Sequence, residues 1–167
     1  RWDARTAETE GPNGAQAVKS RVIYSKALKR NIVVVDMPTP VSGVVMRYAA
    51  NGLPTRTMTC SGVLANAIRA YAKWLKSQGI LCAYHMGTFS DRKTRKGTSP
   101  SDHAGANAWD LSKVFFKDGH SSTVSKHWGS PFWKAAKAKA KELFSHVVTP
   151  DEDKKLHKDH MHLGRPV

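Results

Sequence analysis

The sequence predicts an α+β domain, on three observations. Two stretches, about 61–77 and 131–146, carry apolar residues at helical spacing. Several short runs rich in β-branched and aromatic residues sit between turn signals without alternating regularly with helices, which points to a small antiparallel sheet packed by the two helices. A length of 167 residues suffices for one core and not for two comfortable ones. Residues 1–20 are polar and expected to form a flexible N-terminal arm, leaving 21–167 as a single domain.

Each element has its own local reason. Asn31–Asp36 is β-branched and reads as a strand, stopped by Pro38-Thr39-Pro40. Gly43–Tyr48 continues in extended form up to the Asn51-Gly52 turn. In the first helix Leu64, Ile68, Tyr71 and Leu75 make one stripe, Arg69, Lys73 and Lys76 lie off it, and Gly79 sits where a C-terminal cap belongs. Ile80–Met86 follows as a strand, and Ser90–Ser101 is a polar, basic loop.

Asn107–Phe116 alternates, with Ala108, Asp110, Ser112 and Val114 on one face and Trp109, Leu111 and Phe115 on the other. Asp118-Gly119 is a turn, and Ser121–Lys126 is expected to return as the second strand of a hairpin. Ser130 caps the second helix, Pro131 takes its first turn, and Trp133, Ala136, Ala140, Leu143 and Phe144 form its stripe. Lys134, Lys137, Lys139 and Lys141 flank that stripe. After an acidic loop at Asp151-Glu152-Asp153, a short strand carries His160 and His162.

Composition narrows the functional classes. No apolar run of about 18 residues exists, so no membrane-spanning helix is expected. Against 13 Asp and Glu stand 27 Lys and Arg, a net charge of +14. A surface so basic seeks polyanions such as nucleic acid, anionic lipid or the charged polymers of a cell envelope. Nucleic acid has no recognition signature behind it, neither an RNA-binding motif nor a zinc-finger spacing. Cys60 and Cys82 lie 22 residues apart and are compatible either with a disulfide or with two buried thiols.

Two motifs carry the chemistry. Ser101-Asp102-His103-Ala104-Gly105-Ala106-Asn107-Ala108-Trp109-Asp110 supplies an imidazole and, seven residues on, a carboxylate. His157-Lys158-Asp159-His160-Met161-His162 supplies three more imidazoles. In a strand His160 and His162 share a face while Met161 and Leu163 turn to the core. A catalytic zinc site takes three protein ligands of N and O type and leaves a fourth position for water. These two stretches hold enough groups for three ligands and a base.

The pattern Ser-x-His-x-x-x-x-Ala-x-Asp, followed by His-x-x-His-x-His, resembles the extensin-like C-terminal family. That family is similar to the LAS zinc peptidases, which include lysostaphin-type enzymes, D-Ala-D-Ala metallopeptidases and hedgehog signalling domains. The resemblance covers about residues 57–163 and implies zinc ligation by His103, Asp110 and His162. It implies His160 as the base, His157 as a second polarising imidazole, and Arg92 as the anchor for a substrate carboxylate or carbonyl. Many D-Ala-D-Ala peptidases have Gly where Ala106 stands and a Glu as base, and this chain departs from both habits.

The chemistry implied is hydrolysis of an amide bond in peptidoglycan peptides by water activated on zinc. A periplasmic or extracellular setting follows from such a substrate, in a cell or in a phage or virion-associated lysin, with the positive charge holding the protein on anionic envelope polymers. Two other classes compete with this expectation. One is a zinc-containing, envelope-binding module without activity; the other is a basic structural or nucleic-acid-binding protein.

Overall fold

A computed structural model describes residues 19–95, 97 and 99–167. The arm expected over 1–20 lies almost wholly outside them, and Ser20 already belongs to a strand. The fold is α+β, as the sequence predicts, but the strands form two sheets rather than one small antiparallel one. Strands β1 (Ser20–Ser25), β2 (Arg30–Pro38) and β4 (Thr57–Cys60) make a three-stranded antiparallel sheet in the order β1-β2-β4.

The larger sheet contains β3 (Val45–Tyr48), β5 (Ile80–His85), β6 (Ala108–Phe116), β9 (Met161–Pro166) and β8 (Phe144–Val148), in that order. A short strand β7 (Ser121–Thr123) pairs with β6. Here β3 runs parallel to β5, so the sheet is mixed. Between them the chain visits the other sheet and then forms helix α1 (Gly62–Ser77), a crossover long enough to return it in its original direction.

Helix α1 starts where Ser61 Oγ accepts the Leu64 amide at 3.1 Å, which satisfies one of the first-turn donors. Its stripe of Leu64, Ile68, Tyr71 and Leu75 is fully buried, and Gly79 ends it at φ +84°. Helix α3 (Pro131–Leu143) is capped by Ser130. The helix expected to reach residue 146 stops three residues earlier. Phe144 continues the apolar stripe but opens β8, which pairs with β9 from Phe144↔Pro166 to Val148↔His162. The return strand expected over 121–126 ends at Thr123, whose hydroxyl accepts the Lys126 amide at 3.2 Å and starts the one-turn helix α2 (Val124–His127).

The main core lies between α1, α3 and the larger sheet. Tyr71 and Trp109 meet edge to face with centroids 6.0 Å apart, and Tyr71 donates its hydroxyl to Ala136 O at 2.9 Å. Trp133 donates to Ser122 Oγ at 2.9 Å. Each such buried aromatic or aliphatic side chain contributes about 1.5–3 kcal/mol of transfer free energy. A second, smaller core joins Ile32 and Val34 of β2 to Ala106, with Ile23, Leu28 and Phe89 against it.

The alternation expected along β6 holds only in its first half. Trp109 and Leu111 face the core and Asp110 the other side, but the pairing jumps from His85↔Leu111 to Tyr84↔Lys113, which leaves Ser112 as an extra residue. This bulge flips the phase, so Val114 rather than Phe115 returns to the core. Cys60 and Cys82 are free thiols on strands of different sheets, and burial pushes the Cys60 thiol up to about 12. No helix of the described residues is long and apolar enough to cross a membrane.

Candidate metal centre

Three elements converge on one cleft. The first is a 3-10 turn, Asp102–Gly105, begun by Ser101, whose hydroxyl accepts the His103 amide at 3.2 Å. It ends at Ala106 in the left-handed region (φ 53°), which turns the chain into β6. The second and third are β6 and β9, whose register sets Asp110 directly opposite His162. His160 stands immediately before β9, at the end of a long loop that follows β8.

His103, Asp110 and His162 are all buried, and one potential ligand atom of each lies within 4.8 Å of the others. His103 donates from Nδ1 to Thr88 O at 3.1 Å, so its Nε2 presents a lone pair. That Nε2 lies 3.0 Å from Asp110 Oδ2 but makes no hydrogen bond of acceptable geometry among the described residues and is an orphaned buried atom there. His162 Nδ1 is 3.1 Å from Asp110 Oδ1. A buried carboxylate between two imidazoles, one with an unpartnered nitrogen, is the donor set of a metal site with two nitrogen ligands and one oxygen ligand. The residues present could hold a metal ion.

Electrostatics agree with the geometry. Burial pushes the Asp110 carboxyl up, but the close imidazoles of His103 and His162 outweigh it and hold the group well below the usual carboxylate range. Burial likewise pushes His162 down, but its bonds to Asp102 and Asp110 dominate and raise it to about 9. His157 is lowered, by burial first and then by the neighbouring His160.

All six residues singled out from the sequence line the same cleft of about 610 Å³, Arg92 from the loop after β5 and His157 and His160 from the loop before β9. The His157 and His160 rings stand 4.7 Å apart. His160 Nε2 is 4.0 Å from Asp110 Oδ2, and its Nδ1 donates to Asp159 at 2.8 Å. Asp159 is thus the partner of His160, although strand alternation places the two on opposite faces; β9 begins only at Met161, so alternation does not govern them. His157 Nδ1 pairs with Asp153 at 3.3 Å. Among the described residues Arg92 bonds no carboxylate, and it reaches Lys93 O at 3.2 Å. The neighbouring Asp91 carboxylate accepts the Lys26 and Ala27 amides, both at 2.8 Å, and so ties this wall of the cleft to the β1–β2 turn.

Sequence reasoning missed four residues of the site. Asp102 accepts from His162 Nε2 at 2.9 Å, from His146 Nδ1 at 2.5 Å and from Arg165 Nε at 2.9 Å. Gly164 lies beneath this cluster, where an added Cβ would sit 2.6 Å from Asp102 Oδ2. The signal for Asp102 was its place inside the motif between Ser101 and His103, where it reads as filler. His146 was hidden by the overlong helix.

Fold and site together define an α+β domain with a buried two-histidine, one-aspartate centre at the floor of an open cleft. The model of the extensin-like protein C-terminus matches residues 38–166, more than half of the chain. The chain belongs to that family. No curated protein and no solved structure matches it.

Proposed function

We propose that this protein is a zinc-dependent peptidoglycan peptidase that hydrolyses an amide bond in cell-wall peptides. The observation that carries the reading is the buried His103–Asp110–His162 cluster with its orphaned His103 Nε2, open to a cleft that also holds His160 and Arg92. The motif's similarity to LAS zinc peptidases supports the reaction class and the substrate. Zinc held by these three residues supplies Lewis acidity toward a carbonyl and toward water at neutral pH.

The chain's own groups do the rest. His160, held through Nδ1 by Asp159, turns Nε2 toward the Asp110 side of the cleft. From there it takes a proton from the attacking water and returns it to the leaving amine. Arg92, with no carboxylate partner among the described residues, binds a carboxylate or carbonyl oxygen of the peptide. His157 lies against His160 and adds a second polar imidazole to the wall. The net charge of +14 draws the enzyme to anionic envelope polymers, in the periplasm or outside the cell, or as a phage-borne lysin.

Metal analysis of the purified protein and of His103→Ala, with hydrolysis of purified muropeptides, tests the reading. One zinc per chain, lost in the variant, together with cleavage supports it. Zinc without cleavage marks an inactive envelope-binding module. The same trace metal in both proteins removes the site and leaves a basic polyanion-binding protein.

A further inference from the structure

We propose that Asp102 is a positioning residue that decides which nitrogen of His162 faces the metal, and that it does so by its charge and acceptor geometry rather than by its bulk. The inference rests on the metal-site reading above. His162 lies between two carboxylates, with Nδ1 3.1 Å from Asp110 Oδ1 and Nε2 2.9 Å from Asp102 Oδ2. A neutral imidazole offers a lone pair on one nitrogen only while the other carries hydrogen. An acceptor held against Nε2 keeps the hydrogen there and leaves the Nδ1 lone pair for the shared site with His103 and Asp110.

The carboxylate is itself held in place. Arg165 Nε donates to its second oxygen at 2.9 Å, and His146 Nδ1 approaches the first. Arg165 adopts a left-handed backbone (φ 51°) directly before Pro166, where residues ordinarily prefer extended conformations. Two bonds hold it so, from its amide to Asn107 O at 3.0 Å and from Ser145 Oγ to its carbonyl at 2.8 Å. An uncommon backbone, maintained by its neighbours, aims this guanidinium at Asp102. Gly164 completes the arrangement, because a Cβ there would lie 2.6 Å from Asp102 Oδ2 and 2.8 Å from His162 Nε2.

Asp102, His146 and His162 are close enough together to hold an ion of their own. The guanidinium already bonded to that carboxylate argues against a second cation, and His162 would have to lose its remaining hydrogen to serve both.

Zinc titration calorimetry on wild type, Asp102→Ala and Asp102→Asn tests the proposal, with ¹⁵N NMR of zinc-loaded, histidine-labelled protein to identify the metallated nitrogen of His162. Wild type should bind one zinc, with His162 ligating through Nδ1. Asp102→Asn, almost the same size as Asp, should lose about 10–100-fold in affinity, at least as much as Asp102→Ala. Arg165 keeps the amide oxygen, the NH₂ group turns to Nε2, and the hydrogen is forced onto Nδ1. A packing role predicts the opposite order, with Asn close to wild type.

If Asp102→Asn does not fold, Arg165→Ala decides, with an expected loss of about tenfold and the same NMR change. Wild-type affinity in Asp102→Asn overturns the proposal, as does a wild type holding two zinc ions that falls to one in Asp102→Ala, which would make Asp102 a ligand. A wild type that binds no zinc overturns the metal reading itself, and the titration distinguishes that failure from the other two.

Discussion

A single methyl group at position 164 should damage the metal site without removing a ligand. Gly164 sits in β9, paired with Ala108 on one side and His146 on the other, and its φ is not positive, so the effect of alanine there is purely steric. The new Cβ would lie 2.6 Å from Asp102 Oδ2 and 2.8 Å from His162 Nε2, where ordinary contact begins at 3.4 Å. The carboxylate must retreat by roughly 0.8 Å and the ring by roughly 0.6 Å, or the strand must move instead. Neither group is the loose end of a long side chain, because hydrogen bonds fix both.

Overpacking of this kind costs about 1–3 kcal/mol. Separating Asp102 from His162 should lower zinc affinity about 10–100-fold. Gly62→Ala is the control, since the Cβ there meets nothing within 4 Å and the position opens α1. It should leave zinc binding unchanged and raise stability by up to about 1 kcal/mol. Urea denaturation and zinc titration of both variants check the pair. A Gly164→Ala protein with wild-type zinc affinity and undiminished stability would refute the steric argument and, with it, the tight seating of Asp102.

His160→Ala should keep its zinc and its melting temperature while muropeptide hydrolysis falls about 10²–10⁴-fold, the usual contribution of a positioned acid–base group; loss of zinc together with activity would make His160 a ligand. Asp159→Asn should cost about tenfold, because the Asp159–His160 bond at 2.8 Å orients the ring from a half-exposed position. His85 makes a pH prediction of a different kind. It is buried, accepts the Gly87 amide on Nδ1 and donates from Nε2 to Thr55 at 2.8 Å, and burial depresses it from 6.5 to about 4. Its neutral form is favoured by folding, so its contribution is complete above pH 6.5 and disappears as pH falls toward 4, about 3 kcal/mol in all. Urea midpoints at pH 7, 5.5 and 4.5 should therefore fall more steeply for wild type than for His85→Gln, and parallel curves would remove His85 as the cause.

What could be read from the sequence, and what could not, follows from the range of the interactions. Helix α1 was legible because its stripe and Gly79 are local signals. The orientation of Asp110 was legible because Trp109 and Leu111 beside it declare the core side of a strand. The bulge at Ser112 was not, since it depends on how β5 pairs with β6. Strand β8 was lost because Phe144 satisfies a helical stripe and a buried strand equally well, and only its pairing with β9 chooses. With β8 went His146. Asp102 was invisible for a related reason: its partners His146, His162 and Arg165 lie 44 to 63 residues away, and nothing local marks it as their acceptor.

The β1–β2 hairpin bears on where this domain can be cut. The family match begins at Pro38, the last residue of β2, so most of the hairpin falls outside what kinship makes recognisable. Yet Ile32 and Val34 form the floor under Ala106, Leu28 comes within 3.5 Å of where a Gly105 Cβ would stand, and the Lys26 and Ala27 amides hold Asp91. A protein trimmed at the match boundary would strip β4 of its ladder partner and leave the turn that carries His103 resting on solvent. The inherited motif is shorter than the body that keeps it in shape, and an expression fragment of this family member should start upstream of Ser20.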